Sequence, residues 1–147
     1  VQGLVVEGRA KYLSCAVSRK IYPLPVKAFP KVAVVQSYLD NDGQIIALVG
    51  KSEFDGVVID GFGAGHVSFG MVDEIKKLKI PVVVSSRTGS GMCATKTYGY
   101  KGSEIDLQSS GCVMSGWLSA IKARLLLMVL IADEIPPQEI KNEFENF

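Results

Sequence analysis

The run Gly56-Val57-Val58-Ile59-Asp60-Gly61-Phe62-Gly63-Ala64-Gly65-His66 constrains the fold more than any other part of the chain. Val57-Val58-Ile59 is β-branched without a break, the pattern of a strand buried on both faces inside a parallel sheet. Gly61, Gly63 and Gly65 follow at alternate positions, where the backbone is free to take positive φ and a ligand or second chain is free to come close. His66, the only histidine, comes next. Ser68 is placed to cap a helix from about Phe69 to Lys79, with Met71, Val72, Ile75 and Leu78 at helical spacing. Strand, glycine loop and helix in that order put a binding site outside the carboxyl end of the sheet. The loop reads GxGxG and departs from the dinucleotide fingerprint GxGxxG, because its sixth position is His66. No acidic ribose partner follows the next strand, which ends in Ser85.

The flanking sequence repeats the pattern. Val32-Ala33-Val34-Val35 reads as the first buried strand, and Asp42 can cap a helix carrying Ile45, Ile46, Leu48 and Val49. Pro81 opens a third strand, Val82 to Ser85, and Gly111 to Met114 is a short fourth. Ser119 is placed to cap an apolar helix, Ala120 to Ala132; Pro136-Pro137 starts a last helix with Phe144 on its inner side. Strands alternating with single helices predict parallel pairing and right-handed crossovers. The expectation is a four-stranded parallel sheet, strands near 32–35, 57–60, 82–85 and 112–114, with helices on both faces. Ahead of it, residues 3–15 read as a hairpin about Glu7-Gly8, too small to be stable unless it leans on something. Residues 17–30, with Pro23, Pro25 and Pro30 among basic residues, read as a linker or an extended crossing segment. Residues 92–110 lack periodicity, so 86–110 is expected to be a long loop, functional or mobile, and the least ordered internal segment.

Composition narrows the function classes. With 147 residues and 48% hydrophobic content, the chain can bury one real core and is not disordered over most of its length. A net charge of +1 gives no sign of a nucleic-acid surface. The longest apolar run, Leu125 to Ala132, is eight residues, far short of a membrane span. Cys15, Cys93 and Cys112 lack metal-ligand spacing and read as reduced thiols of a cytosolic protein; without a second histidine no metal site is expected. The chain opens at Val1, so it reads as a fragment of a longer protein.

The chemistry-bearing residues are sparse. Asp60 is either a loop-capping acid or a catalytic one. His66 is either a polar loop residue facing water or a functional group at a strand's carboxyl end, from which its side chain is expected to project. Ser85, Ser86, Thr88 and Cys93 are candidate nucleophiles, none with a base and an orienting acid beside it in sequence. Tyr98 and Tyr100 read most simply as loop anchors. Taken alone, this is half of a site.

Four blocks carry a resemblance. Pro30-Lys31-Val32, Asp55-Gly56-Val57-Val58-Ile59 with Gly61-x-Gly63-x-Gly65, Pro81-Val82-Val83-Val84-Ser85-Ser86-Arg87, and Lys122-Ala123-Arg124-Leu125-Leu126-Leu127 resemble the C-terminal domain of the bacterial L-asparaginase family, in its order and spacing. Tyr98-Gly99-Tyr100-x-Gly102 followed by Gly111-Cys112-Val113 looks like the loop of its cytosolic-type members. The resemblance implies a flavodoxin-like three-layer α/β domain over 31–147, with residues 1–30 as the end of an N-terminal domain plus the interdomain linker. It also implies a homodimeric or tetrameric parent that hydrolyses L-asparagine, or L-glutamine, through threonine nucleophiles in the N-terminal domain; the parent is expected to be cytoplasmic, with a secreted or periplasmic one left open. No cofactor, nucleic acid or membrane enters. The implied role of this domain is to lend Gly65, His66, Arg87, Tyr98 or Tyr100 to substrate binding in a neighbouring subunit, with no catalytic residue of its own. His66 stands where the family usually has asparagine. A glutamate that some members carry in the loop has no assigned position, because this loop is longer. Two other classes fit the sequence: the matching domain of an archaeal-type amidotransferase subunit that releases ammonia for glutaminyl-tRNA formation, and a non-enzymatic flavodoxin-like module holding an anion at the glycine loop.

Overall fold

The computed structural model describes residues 3–12, 20–24 and 28–146. Residues 13–15 of the expected hairpin, including Cys15, and the linker around Pro25 lie outside the described residues.

The sheet is the expected one. β3 (Val32–Gln36), β4 (Gly56–Gly61), β5 (Val82–Ser86) and β6 (Val113–Met114) lie side by side in sequence order. All three pairings are parallel, with Val34 opposite Val58, Ile59 opposite Val84, and Val83 opposite Val113. Val57, Val58 and Ile59 are fully buried, and they alternate between two cores. Val57 and Ile59 pack with Ile46, Met71, Val72 and Leu107 beneath α1 (Gln44–Gly50), α2 (Val72–Ile75) and α3 (Glu104–Ser109). Val58 packs with Leu127, Leu130, Ile140 and Phe144 beneath α4 (Ala120–Ala132) and α5 (Pro137–Glu145). The division has a topological cause. Each strand adds on the same side of the last, and right-handed crossovers then carry α1, α2 and α3 over one face. The opposite face is left for α4 and α5. Arg124 on α4 reaches across and donates from Nε to the Val32 carbonyl at 2.8 Å.

Several local expectations change. The helix predicted from about Phe69 to Lys79 is a 3-10 turn, Phe69–Met71, followed by only one α turn, α2. Ser68 does not cap it; its hydroxyl donates to the Asn41 carbonyl at 2.6 Å and ties the β4 side to the loop after β3. Ser119 precedes α4 without a side-chain cap bond. Asp42 does act at the start of α1, its Oδ1 accepting from the Gln44 amide at 3.0 Å, although Gly43 occupies the cap position.

β1 (Gly3–Val6) and β2 (Arg9–Tyr12) form the antiparallel hairpin. Glu7 and Gly8 both have positive φ, at 51° and 74°, the requirement of a two-residue turn whose twist matches the strands. The hairpin leans on residues 95–97 of the α/β unit. The Glu7 carboxylate accepts from the amides of Thr95 (3.2 Å) and Lys96 (2.8 Å) and from the hydroxyls of Thr95 and Thr97. Partial burial alone would raise the Glu7 pKa, but these donors outweigh it and hold it down to about 2 from an ordinary 4.5. A depressed folded-state pKa gives stability that is present above 4.5 and lost as pH falls through about 2. Glu7→Gln removes the charge at neutral pH. The expected result is faster amide exchange at Thr95 and Lys96 in that variant at pH 7; unchanged exchange would mean the hairpin tip is not anchored there.

Candidate functional site

The carboxyl ends of β4 and β5 carry the glycine loop and the polar segment after Ser86. The loop closes on itself. The Phe62 amide donates to the His66 carbonyl (2.8 Å), Gly65 to Phe62 (3.1 Å) and His66 to Gly63 (3.3 Å). Ala64 sits at φ 61° and Gly65 at φ 84°, so the chain reverses in a 3-10 turn that does not run on into a helix. These three amides are spent inside the loop. A side chain at Gly61 would place its Cβ 2.7 Å from the His66 carbonyl oxygen and 2.8 Å from that of Ser85. The glycine there permits the loop to return against the strand ends.

That return places His66 inside the protein. It is 9% exposed, which corrects the expectation that it projects from the sheet edge. Its partners come from the segment after β5. His66 Nε2 bonds Glu104 Oε2 at 2.8 Å, and His66 Nδ1 bonds the Tyr100 hydroxyl at 2.6 Å. A carboxylate only accepts, so Nε2 is the donor to Glu104, and in the neutral ring Nδ1 accepts from the phenol. Glu104, 0% exposed, holds two further donors: the amides of Thr97 and Tyr98 meet its Oε1, each at 2.6 Å. Tyr98 and Tyr100 both meet the imidazole edge to face, with centroids at 4.9 and 5.3 Å. They remain 45% and 55% exposed, so this cluster opens to solvent through its two tyrosines.

The segment 86–110 is therefore not a loose loop. Its second half contains α3, and Glu104, in the first turn of that helix, fastens residues 97 and 98 back onto it. Further bonds run from the Ser103 hydroxyl to the Tyr98 carbonyl (2.7 Å), and from the Gly102 amide to Asp106 Oδ2 (2.8 Å). The anchors are polar and short in range, so hydrophobic periodicity does not reveal them. Glu104 is the residue that sequence reasoning missed. Ser103 followed by acidic residues at 104 and 106 was the available signal, since that pattern marks a helix start.

The other candidates separate. Arg87 lies at the end of β5, its guanidinium stacked on Phe62 at 4.6 Å and donating to the Ser37 carbonyl, so it joins the ends of three strands. Asp60 accepts from the Ser85 hydroxyl at 3.2 Å. Ser85 is fully buried, and the Ser86 and Thr88 hydroxyls bond each other at 3.0 Å. Cys93 is buried against Ser115, and burial pushes its thiol pKa up. Burial likewise raises the Cys112 thiol, to about 12. A protonated buried thiol is a poor nucleophile, and among the described residues no serine or threonine hydroxyl is bonded to the histidine, whose ring nitrogens meet Tyr100 and Glu104. Among them, too, no cluster of ligating side chains could hold a metal ion.

Comparison with known proteins gives the same family as the sequence blocks. Residues 31–144 match the glutaminase/asparaginase C-terminal domain. An L-asparaginase of Bacillus licheniformis is 31% identical over 121 residues, covering 80% of this chain and 37% of that protein. A probable periplasmic L-asparaginase of Haemophilus influenzae is 29% identical over 123 residues, covering 82% of this chain and 34% of that protein. The chain thus spans about a third of the length of these relatives. The crystal structure of a probable cytoplasmic L-asparaginase from Campylobacter jejuni superposes with a TM-score of 0.75 at 26% identity, over 97% of this chain and 46% of that one. The matched span takes in the whole four-stranded sheet, α1 to α4 and α5 to its last residue but one, and on that ground the chain belongs to the glutaminase/asparaginase C-terminal domain family.

Proposed function

We propose that this chain is the C-terminal part of an L-asparaginase, an amidohydrolase that converts L-asparagine to L-aspartate and ammonia. In this reading residues 31–147 are the second domain, and residues 1–30 are the end of the first domain and the linker. The observation that carries it is the Tyr98, Tyr100, His66 and Glu104 cluster at the carboxyl edge of the sheet, in a domain among whose described residues no serine, threonine or cysteine is activated as a nucleophile. A hydrogen-bonding site without a nucleophile suits a domain that completes an active site built elsewhere. Gly65, His66, Arg87, Tyr98 and Tyr100 then form the face offered to a neighbouring subunit of a homo-oligomer, with Gly65 and Arg87 shaping it and the tyrosines reaching out. Buried, unpaired Cys93 and Cys112 suit a cytoplasmic parent.

The test is ammonia release. The full-length parent is expected to hydrolyse L-asparagine, and the purified 147-residue chain is expected to release none above a buffer control. Release by the chain alone would show a nucleophile in this domain. A parent inert toward both asparagine and glutamine would sink the reading.

A further inference from the structure

We propose that the cavity between the hairpin and the α/β unit binds a small organic dicarboxylate. Arg9, Lys11 and Lys96 hold its charges, and the Trp117 indole N–H meets its innermost oxygen. His66, Tyr98, Tyr100 and Glu104 do not line this cavity, and the inference does not rest on the asparaginase reading.

The cavity has a volume of about 480 Å³. The hairpin forms one wall, residues 92–96 a second and α5 a third. Strand alternation puts Arg9 and Lys11 on the same face of β2, and both line the cavity. Lys96 and Lys141 bring the cations to four, against two acids, Glu7 and Glu145. Both acids are already engaged. Glu7 accepts from the amides of Thr95 and Lys96 and the hydroxyls of Thr95 and Thr97, and Glu145 Oε1 lies 3.8 Å from Lys141 Nζ. The side chains of Arg9, Lys11 and Lys96 have no ion pair or hydrogen bond among the described residues. A concave wall with a surplus of one charge sign concentrates counter-ions, and here the surplus is two charges.

The inner end lacks an acceptor as well. The cavity runs on into a recess of about 40 Å³, the two sharing walls at Lys11, Met92, Thr95 and Glu145. Trp117 and Phe144 line the recess. Trp117 Nε1 is buried without a hydrogen-bond partner, alone in this among the side-chain nitrogens and oxygens of the described residues. An indole N–H can only donate. Cations at the mouth and an unpaired donor within are met by one class of ligand, an oxyanion. Met92 and Phe144 add an apolar wall, which suits a carbon skeleton between two carboxylates better than a phosphate.

Trp117 is the chain's only tryptophan, so its emission reports the site. In the 147-residue chain at constant ionic strength, succinate is expected to change that emission saturably below about 10 mM. Succinamide, the same skeleton without charge, should change nothing, and phosphate should bind more weakly. Calorimetry follows the variants. Arg9→Gln, Lys11→Gln and Lys96→Gln should each weaken succinate about 2- to 5-fold, the range for an exposed ion pair, and the triple variant about 10- to 100-fold. Trp117→Phe keeps an aromatic ring and removes the N–H; it should weaken succinate about 10-fold. Lys51→Gln, an exposed cation outside the cavity, should bind as the wild type does. The three cations make no side-chain bond in the fold, so their variants should keep the wild-type melting temperature. Bound succinate should also slow amide exchange at Thr95 and Lys96, where the hairpin docks. The proposal is overturned by no saturable response to succinate, by an equal response to succinamide, or by phosphate binding as tightly as succinate. It is equally overturned if Lys51→Gln weakens binding as much as Lys11→Gln, or if Trp117→Phe keeps wild-type affinity. None of these readouts involves asparagine hydrolysis, so the two readings stand or fall separately.

Discussion

Replacing Glu104 with alanine is expected to lower the unfolding free energy by about 3–5 kcal/mol, among the largest single effects in the chain. The carboxylate is 0% exposed and serves three donors, two of them backbone amides. A fully buried donor left without an acceptor costs about 1–3 kcal/mol, which applies in full to His66 Nε2, while the part-buried amides of Thr97 and Tyr98 recover some of theirs by turning toward water. His66 loses the partner that fixes its tautomer, so Tyr100 is released at the same time. Urea unfolding measures the first effect, and amide exchange at Thr97 and Tyr98 the second. Glu104→Gln keeps an acceptor for both amides and should cost far less. If alanine and glutamine are equally tolerated, the carboxylate does not hold this segment.

Gly65→Ala is expected to cost about 2–5 kcal/mol, from two sources. The backbone there has φ 84°, where a Cβ adds steric strain of about 1–2 kcal/mol. The new methyl would also lie 2.6 Å from Met114 Cε and 3.0 Å from Cys93 Sγ, inside the core cluster that fills one face of the sheet. Met114 is flexible and gives way in part, which keeps the overpacking cost near 1–3 kcal/mol. Because residue 65 precedes His66, the displacement also pulls the imidazole away from Glu104. A reduced urea midpoint with unchanged slope is the expected reading. Gly63→Ala makes the control, since a Cβ at residue 63 meets nothing closer than Thr88 Cγ2 at 3.7 Å. Equal stability of the two variants would refute the argument.

The sequence by itself determined the frame: the β-branched runs at 32–35, 57–59 and 82–84, the apolar helix at 120–132, the turn at Glu7-Gly8 and the parallel order. These are local or periodic signals, and burial on both faces of a sheet leaves a continuous apolar run that can be read without a partner. It also determined that His66 stands at the end of the central strand. Tertiary structure decided everything that depends on a partner far along the chain. Ser68 looked like a cap, but Asn41, distant in sequence and close in space, takes its hydroxyl. The 69–79 helix shrank to one α turn, because apolar spacing marks which residues are buried and does not count backbone hydrogen bonds. Glu104 lies 38 residues from His66, and a carboxylate that pairs with an imidazole across that separation has no periodic signature in the sequence. Burial of His66 follows from the same fact. A polar side chain goes inside only where its hydrogen bonds are met, and the groups that meet them arrive from a segment whose own path is set by Glu104.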